Sequence, residues 1–229
     1  CAKLLSTLLQ MIEEDIRVTA AQNATLIFVG DYIDRGPDSA QVLRVLHQLN
    51  KVNRKQVICL RGNHEEMLLN FLADPLGPSN RWFRHGGRNT MASFGINMPV
   101  DPKELKQRDL LDLAAALRSA MGGLMLSWLK GLPLQWHTGN IWVVHAGVDP
   151  FRPMEEQDRK VMLWGHPDFN IVERSDSQWV VVGHRVVDHP VKRAGRVHID
   201  TGAVYGGPLT AIRAEPGADI RYLQAFHHG

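Results

Sequence analysis

Four times in this 229-residue chain an apolar run ends, beside a glycine, in a side chain able to ligate a metal ion. The segments are FVGDYID (28–34), CLRGNHE (59–65), VVHAG (143–147) and VVGH (181–184). They deliver Asp31, Asn63, His145 and His184: one carboxylate, one amide oxygen and two imidazoles. A mixed nitrogen and oxygen set of this kind suits Mn²⁺, Fe or Zn²⁺ better than an all-oxygen Mg²⁺ or Ca²⁺ site. In α/β proteins ligands bind beyond the carboxyl ends of the strands. If these four runs are neighbouring strands, the four side chains share one crevice. The glycines let the backbone turn sharply where each strand stops.

The elements that must hold them follow from periodicity. Leu4, Leu5, Leu8, Leu9, Ile12 and Ile16 recur at helical spacing, which predicts a helix over 2–16. The β-rich run at 25–29 predicts a strand, and the Gly, Pro and Asp content after it predicts a loop. Ser39 is the expected N-cap of a helix over 40–49. A strand at 56–60 and a helix through Met67, Leu68 and Phe71 complete a βαβ order, which predicts a parallel sheet. Residues 78–132 are rich in helix formers and predict a helical insert, strongest over 103–130. Strands are expected again at 140–147, 179–184, 196–200 and 209–215, and in IRYLQAF near the end. Trp82, Phe83, Met91 and Phe94 are expected to form core under the insert.

Composition narrows the function classes. Lys+Arg is 26 against Asp+Glu 24, a formal net charge of +2, which argues against a general nucleic-acid binder. Two cysteines, Cys1 and Cys59, make no disulfide framework. Uninterrupted apolar runs fall short of the ~20 residues that cross a bilayer, so no membrane partner is expected. No secretory signal is recognisable, and the cytoplasm is the expected compartment. A cysteine-dependent phosphatase needs an Arg six residues after its nucleophile, and that position after Cys59 holds Glu65. No P-loop sequence occurs.

GDYIDRG (30–36), GNHE (62–65), HAG (145–147) and GH (183–184), in that order, resemble the metal-dependent Ser/Thr phosphoprotein phosphatases of the calcineurin-like metallophosphoesterase superfamily. HGGRNTMASFG (85–95) and HIDTGAVYGGPLTAI (198–212) are similar to stretches of its bacterial branch. The resemblance implies an α/β fold: a β-sandwich of mixed sheets flanked by helices, as one domain over 1–229. It implies two divalent transition metals, Mn²⁺ first and Fe or Zn as alternatives. Asp31 would bridge them, and Asn63, His145 and His184 would complete one ligand set. Arg35 would hold the substrate phosphate, and His64 would protonate the leaving oxygen with Asp34 orienting it.

The residue chemistry agrees with these implied roles. A two-metal centre activates water and clamps the attacking and leaving oxygens. A histidine with an ordinary pKa of about 6.5 suits general acid work near neutrality, and a carboxylate beside it favours its protonated form. Arg offers a bidentate fork to phosphate oxygens.

The implied substrate is a phosphoserine or phosphothreonine protein, or a small phosphoester. A hydrolase of symmetrical dinucleoside polyphosphates, such as diadenosine tetraphosphate, is the alternative. Those enzymes commonly lack the second Asp of the GDxxDRG loop, so the presence of Asp34 favours the phosphatase. A non-catalytic phosphate-binding module is a third reading.

Two departures from the family pattern set further expectations. The family's earlier Gly-Asp-x-His-Gly motif does not occur at 1–29, so the natural protein is expected to extend upstream of Cys1. A polypeptide starting at Cys1 would then carry one full ligand set, only the bridging member of the second, and one central strand too few. Similar bacterial members carry an Arg soon after Leu-Trp; here His166 stands two after Trp164, and Arg185 is the other candidate for that phosphate contact. Tyr205 is a candidate for the site lining, and Arg61 for either site support or a structural ion pair.

Overall fold

A computed structural model describes residues 1–21, 23–78, 82–98 and 104–227. β1 (Leu26–Phe28) and β2 (Val57–Cys59) pair in parallel, with Phe28 opposite Cys59. The crossover between them is α2 (Ser39–Val52), which buries Leu43 and Leu46. This is the expected βαβ unit. α1 (Ala2–Thr19) precedes it and buries Leu4, Leu5 and Leu8. Leu4 and Leu8 pack with Ala225 and Leu223 of a C-terminal hairpin, β8 (Leu209–Arg213) and β9 (Arg221–Ala225).

The second sheet has five strands. β3 (Gln135–Thr138), β4 (Ile141–Val144), β5 (Trp179–Val182), β6 (Val191–Arg193) and β7 (Arg196–His198) lie in the order β3-β4-β5-β7-β6. The three central strands run parallel, and β3 and β6 are antiparallel edges. The sheet is therefore mixed, as the family resemblance implies, while the parallel pairing expected of the βαβ unit is that of β1 with β2. Leu60, Val143, Val181 and Val197 are buried, with the half-buried Ile27, Ile58 and Ile212 packed against them, so the sheets face one another across an aliphatic layer. The architecture is an α/β sandwich of mixed sheets flanked by helices.

The main core lies on the helical side. α3 (Asn63–Ala73) follows β2 almost at once and buries Leu68 and Phe71. The insert supplies a π-helical turn (Phe83–Gly87), α4 (Arg88–Ser93) and α5 (Gln107–Lys130). Residues 79–81 and 99–103 of the expected insert lie outside the described residues. Trp82, Phe83 and Met91 are buried in this core with Phe94 packed against it, as their pattern predicts.

The 24 residues of α5 are long and apolar enough to cross a membrane by length and composition alone, although no uninterrupted apolar run marks them. Yet Leu110, Leu113, Ala114, Leu117, Met121, Met125 and Leu129 are buried in the main core. Arg118 also donates to the Leu72 carbonyl of α3. The apolar face of α5 is thus used in packing against protein.

Candidate active site

Because β1 and β2 are adjacent and parallel, the loops at their carboxyl ends meet. A Cβ on Gly30, which has φ of +99°, would lie 2.6 Å from the Gly62 nitrogen, and one on Gly62 would collide with Asp31 Oδ1. Only hydrogen fits at either position. The Tyr32 hydroxyl donates to the Leu60 carbonyl at 2.6 Å and lies 3.1 Å from that of Phe28, joining the two strand ends. The buried Glu65 carboxylate accepts from the backbone N–H groups of Asp31 (2.9 Å), Tyr32 (2.7 Å) and Gly62 (2.8 Å). Burial and the Asp31 carboxylate push its pKa up to about 7. Glutamine has one acceptor oxygen where Glu65 has two. Glu65→Gln is therefore expected to leave a buried N–H unpaired, at a cost of about 1–3 kcal/mol readable by urea titration.

Four residues singled out from the sequence have left-handed backbone: Asp31 (φ 59°), Asp34 (73°), Arg35 (56°) and His184 (63°). Each such non-glycine costs on the order of 1–2 kcal/mol. Strain of this kind clusters where function fixes the geometry.

The four expected ligands converge. His145 Nε2 lies 2.9 Å from Asn63 Oδ1, 3.1 Å from His184 Nδ1 and 3.3 Å from Asp31 Oδ1. His184 Nδ1 lies 3.1 Å from Asn63 Oδ1. Ligands about 2.0–2.1 Å from one ion stand roughly 3.0–3.4 Å apart, and these spacings match. The proton states match as well. His145 Nδ1–H donates to the Val29 carbonyl at 2.8 Å, which leaves Nε2 as the lone-pair nitrogen. Burial lowers the pKa of His145, and burial together with His145 pushes that of His184 down to about 4. Burial raises that of Asp31, partly offset by His64 and His184. Lone pairs thus face one another with too few hydrogens to link them, an arrangement that a cation relieves. Among the described residues, Asp31, His145 and His184 form the one metal-competent His/Asp group.

These shifts set a pH dependence. His184 falls from 6.5 to about 4 on folding, so its contribution to stability is lost as pH drops from 6.5 through 4. Glu65 rises from 4.5 to about 7, so its contribution is lost as pH rises through 7. Chelated protein is expected to melt highest between those limits. Mn²⁺ at 100 times its Kd adds about 2.7 kcal/mol, roughly 5–10 °C in Tm for a chain of this size. The gain should be larger at pH 8 than at pH 5.5, because protons compete with the metal for the ligand atoms. Differential scanning fluorimetry with and without chelator reads both.

Beside this cluster, His64 Nδ1 lies 2.5 Å from Asp34 Oδ2, both side chains buried. Burial would lower the His64 pKa, but the hydrogen bond to Asp34 and the Asp31 charge outweigh it and hold it above the ordinary value. Arg35 is exposed, and its guanidinium stands 5.6 Å over the Tyr205 ring. A cleft of about 310 Å³ is lined by Asp31, Arg35, His64, His184, Asp200 and Tyr205, among others.

The candidates for a second phosphate contact do not join that lining. His166 Nδ1 accepts from the Asp168 N–H, and its Nε2 faces Asp149 Oδ2 at 4.0 Å. Arg185 is exposed outside the cleft. Arg61 is structural: it pairs with Glu66 at 3.0 Å and donates to the carbonyls of Leu129 and Lys130 at the end of α5. Three residues next to the site carry no signal of their own in the sequence. Glu65 stands out only as part of GNHE, Trp82 only as core, and Thr90 only within HGGRNTMASFG.

The family model for calcineurin-like phosphoesterases matches residues 1–220. The chain belongs to that family. Its reaction is accordingly phosphoester hydrolysis with divalent metal ions. This calcineurin-like phosphoesterase is 31% identical over 202 residues to the bis(5'-nucleosyl)-tetraphosphatase PrpE (asymmetrical) of Geobacillus thermodenitrificans, covering 81% of this chain and 74% of that protein. It is 32% identical over 206 residues to the protein of the same name from Bacillus mycoides, covering 82% and 74%. Its fold matches the crystal structure of a candidate diadenosine tetraphosphatase (TM-score 0.59, 20% identity, 95% of this chain and 88% of the other). It also matches a serine/threonine phosphatase from Saccharomyces cerevisiae (TM-score 0.55, 17% identity, 90% and 72%).

Proposed function

We propose that this phosphoesterase hydrolyses a small bis(5'-nucleosyl) polyphosphate, with a phosphoprotein as the second reading. The observation that carries the proposal is the kinship, near one-third identity over four-fifths of the chain, with proteins named bis(5'-nucleosyl)-tetraphosphatase. The phosphoprotein expectation comes from the motif resemblance, and the presence of Asp34 is what sets it above the dinucleotide reading. In the structure that side chain is buried, with its oxygens bonded to His64, Trp82 and Thr90. Asp34 borders the cleft, but both carboxylate oxygens are engaged by His64, Trp82 and Thr90, so it discriminates poorly between the two classes.

The chain's residues divide the work as follows. Arg35, exposed on the cleft, offers two parallel N–H donors to phosphoryl oxygens. Asp31, Asn63, His145 and His184 would hold a divalent metal, which supplies a Lewis acid that activates water and offsets phosphoryl charge. His64 has Nδ1 bonded to Asp34, so Nε2 is the nitrogen left to hand a proton to the leaving oxygen.

The test is product analysis. The full-length natural protein is incubated with Mn²⁺ and diadenosine tetraphosphate, and the nucleotides are separated by anion exchange. Off-centre cleavage yields ATP and AMP in equal amounts, the result expected from the asymmetrical relatives. Two ADP per substrate would mean symmetrical cleavage. No cleavage, with a phosphothreonine peptide consumed, would replace the proposal with the second reading.

A further inference from the structure

We propose that the segment from Trp82 to Thr90 is a brace that positions the Asp34–His64 pair for proton transfer, with Trp82 and Thr90 as its two positioning residues. The inference rests on the reading of His64 as proton donor given above.

The hydrogen-bond inventory around Asp34 carries it. Trp82 Nε1 lies 3.0 Å from Asp34 Oδ1 and 2.9 Å from Oδ2, and an indole N–H can only donate. Thr90 Oγ1 accepts from the Asp34 N–H at 2.9 Å, and its own hydrogen reaches Asp34 Oδ1 at 2.6 Å. Ser39 Oγ also lies 3.1 Å from the Asp34 nitrogen. With the indole N–H bridging both carboxylate oxygens and the Thr90 hydroxyl on Oδ1, the carboxylate plane is fixed and Oδ2 is held against His64 Nδ1. Removing either donor frees rotation about the Asp34 Cβ–Cγ bond, and the His64 ring loses its fixed bearing.

The same segment closes over the strained turn. Asp34 and Arg35 are consecutive left-handed residues. Asn89 Nδ2 donates to the Arg35 carbonyl at 2.5 Å, and a Cβ on Gly86 would collide with the Arg35 nitrogen. A Cβ on Gly87 would lie 2.6 Å from the Trp82 indole, so the chain passes flat against the ring that holds Asp34. Phe71 and Phe83 pack on that indole at centroid distances of 5.4 and 5.3 Å. A buried polar network with every member satisfied is rigid, and precise support of a reacting group needs such rigidity. The glycines and the threonine of HGGRNT thereby have a common purpose.

The experiment compares Trp82→Phe, Thr90→Val, Thr90→Ser and His64→Asn in the full-length natural protein. It uses the phosphoester on which that protein has its highest kcat/KM, and Mn²⁺ bound per chain is measured in parallel. Trp82→Phe and Thr90→Val are expected to lower kcat about tenfold, a part of the 10²–10⁴-fold worth of a general acid. KM should stay within about twofold and bound Mn²⁺ should be unchanged, because these side chains touch neither substrate nor metal ligands. Thr90→Ser keeps the hydroxyl and should restore most of kcat. If Trp82→Phe does not fold, the Thr90 pair decides. Wild-type kcat in Thr90→Val, equal impairment in Thr90→Ser, or a loss that tracks bound Mn²⁺ would overturn the brace. Wild-type turnover in His64→Asn would overturn the reading of His64, and the brace with it. A strong loss there with none in Thr90→Val would overturn the brace alone.

Discussion

His184→Ala is expected to remove high-affinity divalent metal binding and to lower kcat/KM by more than 100-fold. The basis is geometric. His184 Nδ1 stands 3.1 Å from both His145 Nε2 and Asn63 Oδ1, so it contributes one corner of the ligand cluster. Loss of a partner that merely supports a ligand costs about 10–100-fold in affinity or activity, and loss of the ligand itself should exceed that. The residue occupies a left-handed turn directly after Gly183, so Ala also inherits the strain without the ligand bond that would offset it. Calorimetric titration of Mn²⁺ into the chelated variant is the measurement. Its companion, Arg185→Ala, sits next in sequence but outside the cleft lining and should bind Mn²⁺ like the natural protein.

His64→Asn should act on a different quantity. The asparagine keeps a hydrogen-bonding group near Asp34 but has no proton to give. A fall in kcat of about 10²–10⁴-fold is expected, the usual worth of a general acid, with KM changed little. Metal content should stay near that of the natural protein, since His64 is not among the clustered ligands. The loss should be least for a substrate whose leaving group departs without protonation. Comparing esters with good and poor leaving groups reads this. A uniform loss across them would assign His64 to binding or folding.

The two variants separate the parts of the site that are readable in the sequence. Asp31, Asn63, His145 and His184 are legible because each follows a β-rich run through or beside a glycine. Their convergence then follows from adjacency, β1 beside β2 and β4 beside β5. The helices are legible from their apolar spacing, with ends displaced by a few residues. α1 runs to Thr19, and α5 begins at Gln107 and breaks its helical geometry at Gly122.

What is not legible has physical causes. β3 (QWHT) and β6 (VKR) are short edge strands with half-exposed to exposed side chains, so no apolar alternation marks them. Ser39 reads as an N-cap, yet Asp38 holds that position and the Ser39 hydroxyl lies against Asp34. Cap chemistry gives way to bonds with the Asp34 N–H and the Thr90 hydroxyl. Trp82 and Thr90 lie 48 and 56 residues from Asp34. Hydropathy records the indole as apolar and cannot show where its N–H points. His166 is an attractive substitute for a missing Arg, but its ring is engaged by Asp168 and faces Asp149.

The most direct measurement of substrate class and metal dependence is a pair of kcat/KM values from one preparation of the full-length natural protein. Diadenosine tetraphosphate and a phosphothreonine peptide are each assayed with Mn²⁺ and again after chelation. The dinucleotide is expected to be favoured by at least tenfold, to yield ATP and AMP, and to resist hydrolysis once the metal is chelated. Faster turnover of the peptide, or dinucleotide cleavage that survives chelation, would contradict the proposed function.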